Sequence, residues 1–142
     1  MQNVLDCSCV SRWNGIAPLI LRVSVGLIFA MHGWQKLQGG LGQTAGFLDS
    51  LNFPAPEVFA FVLIAAELVG GIMLILGLFT HWVAKILAIV AVVAFATVHA
   101  TKGFFISGGG YEFILLILAV SVALIFLGPG KFSLDGALKK KA

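Results

Sequence analysis

Four apolar segments divide this 142-residue chain, at about 16–37, 56–79, 82–102 and 111–127, and between them they leave little sequence for anything else. Each approaches the roughly 20 apolar residues that a helix needs to cross a bilayer. A water-soluble domain carries about a quarter of its residues as charge. Here 60% of residues are hydrophobic and 11% charged, too few to cover a soluble surface. The expected fold is therefore all-α and integral to a membrane: a four-transmembrane-helix bundle. A single membrane domain is expected over 1–142, with a polar N-terminal tail at 1–15 and a basic tail at 128–142.

The connections refine this picture. Between the first two spans lies "GGLGQTAGFLDSLNFPAP", in which Phe47, Leu48 and Leu51 recur at helical spacing. That pattern predicts a short amphipathic segment on the membrane surface. Pro56 and Glu57 suit the first turn of the second helix. "THW" leaves room only for a tight hairpin between helices two and three, and "GPG" at 128–130 ends the fourth. The N-terminal tail has no small-residue cleavage site, so helix one is expected to remain as an anchor.

The net charge of +3 resides mainly in Lys139, Lys140 and Lys141. It reads as a topology signal and not as a nucleic-acid footprint. An even number of spans puts both termini on one side. That side collects Arg12, Lys85, Lys131 and the terminal lysines, so the positive-inside rule places it in the cytoplasm. Trp13 and Trp82 then fall at the inner interface, Trp34 and Tyr111 at the outer one.

Ionisable residues inside the spans are the candidates for function. At 100° per residue, Phe29 and Lys36 lie about 20° and 40° from Arg22, and His32 about 80° away. Gly26 and Gly33 flank the same face, so it is expected to turn into the bundle. Glu67 falls near the middle of helix two beside Gly70 and Gly71. A stripe of Lys85, Ala88, Val92, Ala96 and His99 marks helix three, and Glu112, Ala119 and Ala123 mark helix four. By depth, His32, Lys36, His99 and Glu112 gather in the outer half, with Glu67 just below. A charge at the bilayer centre costs at least about 2.5–3.5 kcal/mol, so Glu67 needs a partner. These residues are expected to surround a polar pocket.

Plainer explanations stand beside this one. Lys36 and Lys102 lie close enough to helix ends to snorkel, and Glu112 is a favourable acid in a first helical turn. Glu67 with Arg22 or Lys36 could be a purely structural ion pair. A metal site from His32, His99, Glu67 and Glu112 is chemically feasible, but no His-x-x-x-His or Glu-x-x-His spacing supports it. Axial haem ligation by the two histidines is still less favoured. Cys7 and Cys9 form a lone Cys-x-Cys pair on the cytoplasmic side, where a stable disulfide is not expected.

Taken together, "LRVSVGLIFAMHGWQKL", "AAELVGGIMLILGLFTHWVA", the late helix-three histidine, "YEFILLILA" and "GPGKFSLDGAL" resemble the DoxX family of small bacterial inner-membrane proteins. The resemblance runs from about residue 21 to 135. In many members the turn after helix two reads Thr-Arg, where this chain has Thr80-His81, and Lys85 one turn on is a candidate substitute. The resemblance implies a four-helix membrane fold and a link to redox chemistry. The family is named for subunits of a thiosulfate:quinone oxidoreductase, and some members associate with thiol-oxidation complexes. It points to the same positions: Arg22, His32, Lys36, Glu67, His99 and Glu112.

The functional expectation is a membrane subunit of a quinone- or thiol/sulfur-linked redox system. Glu67, His99 and His32 would move protons, and Lys36, Arg22 and Glu112 would bind substrate. A quinone is the candidate cofactor. Membrane lipid, a membrane or redox protein and a second copy of the chain are the candidate partners. A proton-coupled transporter and a structural assembly subunit remain the alternatives.

Overall fold

A computed structural model describes residues 15–140, so Cys7, Cys9, Arg12, Trp13 and Lys141 lie outside the described residues. Helix α1 spans Ala17–Gly39, α2 Leu41–Ser50, α3 Pro56–Leu76, α4 Thr80–Ala94, α5 Glu112–Leu127 and α6 Leu134–Lys139. The path of α4 continues through one widened turn, Phe95–His99, whose hydrogen bonds reach five residues back. A single tight turn, Ile106–Gly108, precedes α5. Helices α1, α3 and α4 with its widened turn are long and apolar enough to cross a membrane. Helix α5 is equally apolar but has 16 residues, a length of about 24 Å. The result is an all-α membrane bundle.

Two boundaries differ from the sequence expectation, for one reason. Helix α3 stops at Leu76 and not near 79, and α4 begins at Thr80, so the hairpin turn is Gly77-Leu78-Phe79 and not "THW". Gly77 takes the left-handed conformation (φ 68°), which ends a helix by returning N–H groups to its last carbonyls. Phe79 is also left-handed (φ 49°), a conformation unfavourable for a residue with a side chain. Asp135 holds it there, accepting hydrogen bonds from the N–H groups of Phe79 (2.8 Å) and Thr80 (2.9 Å).

Helix α1 packs along α3 at glycines. A Cβ on Gly26 would sit 2.7 Å from the Gly71 carbonyl oxygen, and one on Gly33 would meet the backbone of Leu68. Such contact brings backbones together where lipid offers no competing hydrophobic drive. Helix α4 packs chiefly on α5, and the two pairs share a core that includes Val25, Phe29, Leu74, Leu87, Ile117 and Leu124.

Several expected faces are corrected. Gly70 and Gly71, expected on one face beside Glu67, part company: Gly71 meets α1 at Gly26 and Ala30, and Gly70 turns toward Leu87 of α4. Of the expected stripe on α4, Ala88 is buried but Lys85, Val92 and Ala96 are exposed, and the buried face is completed by Val83, Ala84, Leu87 and Ala91. The Lys85 ammonium lies over the Trp82 ring, 4.5 Å from its centre. On α5, Ala119 is exposed, while Ile117, Ser121 and Leu124 are buried. Helices that are apolar all round carry no amphipathic signal to fix their rotation. The short amphipathic segment expected after the first span is present as α2, whose Ala45 and Leu48 are buried against Ala60 of α3, with Phe53 alongside, while Phe47 is left exposed.

Candidate functional site

The up-and-down order of the long helices gives the bundle two ends of different chemistry. At the end holding the α3–α4 turn, Arg22 is fully buried. Its guanidinium donates to the Ile75 carbonyl (2.7 Å) and to the carbonyls of Lys131 (3.2 Å) and Phe132. It thereby satisfies the open end of α3 and ties down the chain after α5. A Cβ on Gly77 would overlap this guanidinium, so glycine is required there by space as well as by conformation. The Asp135 N–H donates to the Gly77 carbonyl (2.9 Å), and His81 contacts the Ile125 carbonyl through Nδ1 (2.8 Å). Asp135, outside the spans, is raised by burial, but the N–H groups of Thr80 and Phe79 and the charge of Lys139 outweigh that, leaving its pKa below the ordinary value.

The opposite end holds a cavity of about 580 Å³. Its polar lining comes from His32 and Lys36 of α1, Glu67 of α3, and Thr97 and His99 of the widened turn. Its walls are apolar: Phe29, Phe47, Leu48, Leu63, Val90, Phe113 and Ile117 are among them. The size and the mostly apolar lining fit a small-molecule site. Lys36 Nζ lies 2.5 Å from Glu67 Oε2, and Glu67 is buried. This pair supplies the partner that a carboxylate in the middle of a span requires.

Both histidines are oriented by backbone carbonyls. Nδ1 of His32 is 2.8 Å from the Ile28 oxygen, and Nδ1 of His99 is 2.7 Å from the Gly109 oxygen. A carbonyl only accepts, so each Nδ1 carries the hydrogen, and each Nε2 is left to accept a proton or bind a ligand. The widened turn, rare and frequent at functional sites, sets where His99 and Thr97 project.

Of the six candidates, the structure brings together His32, Lys36, Glu67 and His99. It does not bring in Arg22, which braces the far end, or Glu112. The Glu112 carboxylate accepts from the Ile106 N–H (2.6 Å) and so closes the loop that forms one wall of the cavity. Sequence reasoning missed Thr97, whose hydroxyl donates to the Val93 carbonyl (2.8 Å), because an uncharged residue in an apolar run carries no signal. It also missed Asp135, although Ser133, whose Oγ accepts from the Gly136 N–H (3.2 Å), marks a helix start that could have drawn attention to it.

An apolar bundle braced at one end by a buried arginine, with an ion pair and two histidines around a mostly apolar cavity at the other, defines a helical membrane protein with an internal cavity. The chain belongs to the DoxX family, whose sequence model matches residues 17–100. It is 37% identical to "Putative oxidoreductase CatD" of Bacillus subtilis (strain 168) over 120 residues, covering 84% of this chain and 85% of that protein. It is 31% identical to "Inner membrane protein YphA" of Escherichia coli (strain K12), covering 82% and 86% respectively. An uncharacterized protein of Haemophilus influenzae is 31% identical over 139 residues, covering 95% of this chain and 91% of its own. No solved structure matches the chain.

Proposed function

We propose that this protein is a subunit of a quinone- or sulfur-linked redox system. In this reading it forms one domain in the bacterial inner membrane, both termini are cytoplasmic, and the cavity is the site of reaction. The observation that carries the reading is the mixed character of the cavity, apolar in its walls and polar at Lys36, Glu67, His32 and His99. The apolar walls favour a quinone headgroup over a small sulfur anion, which would leave most of them unmatched. The name of the Bacillus subtilis relative, a putative oxidoreductase, points the same way.

A quinone in this cavity would accept two electrons and two protons, the electrons being delivered by a redox partner. The residues would orient and protonate. Lys36 donates hydrogen bonds to a carbonyl oxygen while Glu67 balances its charge. The Nε2 atoms of His32 and His99 accept and release protons, each ring being held in place by its Nδ1 contact.

The test is organic extraction of the protein purified in detergent, followed by chromatography for quinone. Quinone at near-stoichiometric amount, lost in a folded Lys36→Met variant, is expected. Protein free of quinone that instead conducts a solute in liposomes would replace this reading with a transporter. Neither activity, together with unchanged stability in Glu67→Gln, would leave a structural subunit.

A further inference from the structure

Helices α3 and α4 form a hairpin and are in close contact near its turn. A Cβ on Gly70 would lie 3.4 Å from Leu87 and 3.7 Å from Val83, so the two helices touch there. Farther from the turn the cavity lies between them, lined by Val62 and Ala66 on α3 and by Ile86, Ile89 and Val93 on α4. Four of these residues are exposed, Ile89 at 64% and Val62 at 54% the most, so the cavity is open on this side. On a membrane-spanning bundle that surface faces lipid chains. The cavity is thus continuous from the buried Lys36–Glu67 pair to the lipid side of the hairpin.

We infer that the gap between α3 and α4 is a lateral opening to the bilayer, occupied by the apolar tail of a ligand whose polar head lies at Lys36 and Glu67. The inference rests on the proposed quinone-type site and adds the class of ligand: a lipid-soluble molecule with one polar end and a long apolar tail. The physical ground is continuity. A head bound at the ion pair can keep its tail in apolar surroundings only along an open path, and Val62, Ala66, Ile86 and Ile89 line one without a charged group. A site closed to the bilayer would force the tail into water, at about 0.8 kcal/mol for each exposed CH₂.

The test compares ubiquinone-0, a head without a tail, with decylubiquinone, in nanodiscs holding the full chain. Binding is read from quenching of intrinsic tryptophan fluorescence and referred to the free aqueous concentration. At least a tenfold tighter constant is expected for the tailed probe. Ile89→Trp should abolish that advantage, whereas Ile20→Trp, at a comparably exposed position on α1 outside the cavity, should leave the binding of both probes unchanged. No advantage of the tail, or an advantage that survives Ile89→Trp, would overturn the inference; a lipid chain or a second copy would then be the occupant of the gap. Binding of neither probe would count against the quinone reading, and a nitroxide on Ala66→Cys in a Cys7→Ser, Cys9→Ser background then decides the opening by itself. Contact with oxygen but not with an aqueous nickel chelate keeps it, and contact with the chelate removes it.

Discussion

Lys36 and Glu67, 31 residues apart in sequence, form an ion pair with Nζ 2.5 Å from Oε2 that joins α1 to α3 beside the cavity. The two ends of the pair are unequal: the lysine side chain is 26% exposed and the glutamate 8%. Removing the cation strands a buried anion, whereas removing the anion leaves a lysine able to reach toward the interface. Lys36→Met should therefore cost about 3 kcal/mol, and Glu67→Gln less. The double variant should regain part of the first loss, because the stranded charge is gone. A double-mutant cycle by thermal melting in one detergent, at two pH values, measures this. Strict additivity at both would mean that the two residues do not interact.

The glycines separate by what they touch. A Cβ on Gly33 would approach the Leu68 Cα to 2.8 Å, and backbone cannot step aside, so Gly33→Ala should cost about 2 kcal/mol. Gly70 meets only side-chain atoms, the nearest at 3.4 Å, so Gly70→Ala should change stability by less than about 0.5 kcal/mol. Melting temperatures of the two variants in the same detergent decide it. Equal losses would mean that α1 does not rest on α3 at Gly33.

At the far end, Gly77→Ala must adopt a left-handed conformation and displace the Arg22 guanidinium. The conformation alone costs about 1–2 kcal/mol, and the clash adds to it. Arg22→Met leaves the carbonyls of Ile75, Lys131 and Phe132 without their donor. Both variants should melt well below the parent, yet retain ligand binding at the opposite end when assayed in the cold. Selective loss of binding at full stability would instead place Arg22 in the site.

Asp135 makes stability depend on pH in acid. Its pKa is lowered in the folded protein, so the unfolded chain takes up the proton first as pH falls. The contribution of Asp135 is full above the ordinary carboxylate value and is lost as pH falls through the lower, native one. Melting between pH 6 and 3 should show a steeper decline for the parent than for Asp135→Asn. Identical slopes would show that the carboxylate does not hold the α3–α4 turn.

The lysine-rich end of the chain predicts topology. A reporter fused after Ala142 should be active in the cytoplasm only, and a periplasmic signal would invert the assignment of the two ends.

The sequence alone determined the class of fold, because apolar length and scarcity of charge leave a chain no way to be stable except across a bilayer. It also pointed to a partner for Glu67 and to one end of the bundle for His32, Lys36, His99 and Glu112, since charge and rise per residue are local properties. Rotation was another matter. Lys85, Val92 and Ala119 fell on the wrong faces because a helix in lipid is apolar on every side, so its pattern does not tell partner from solvent. Only tertiary structure chose Lys36 over Arg22 as the partner of Glu67. It did so through the close approach of α1 and α3 at Gly26, Gly33 and Gly71, which fixes the register of one helix on the other. Likewise, only the folded chain brings Arg22 to the carbonyls of residues 131 and 132, more than a hundred positions away, and so takes it out of the cavity. Composition and spacing set what each residue needed; packing decided which neighbour supplied it.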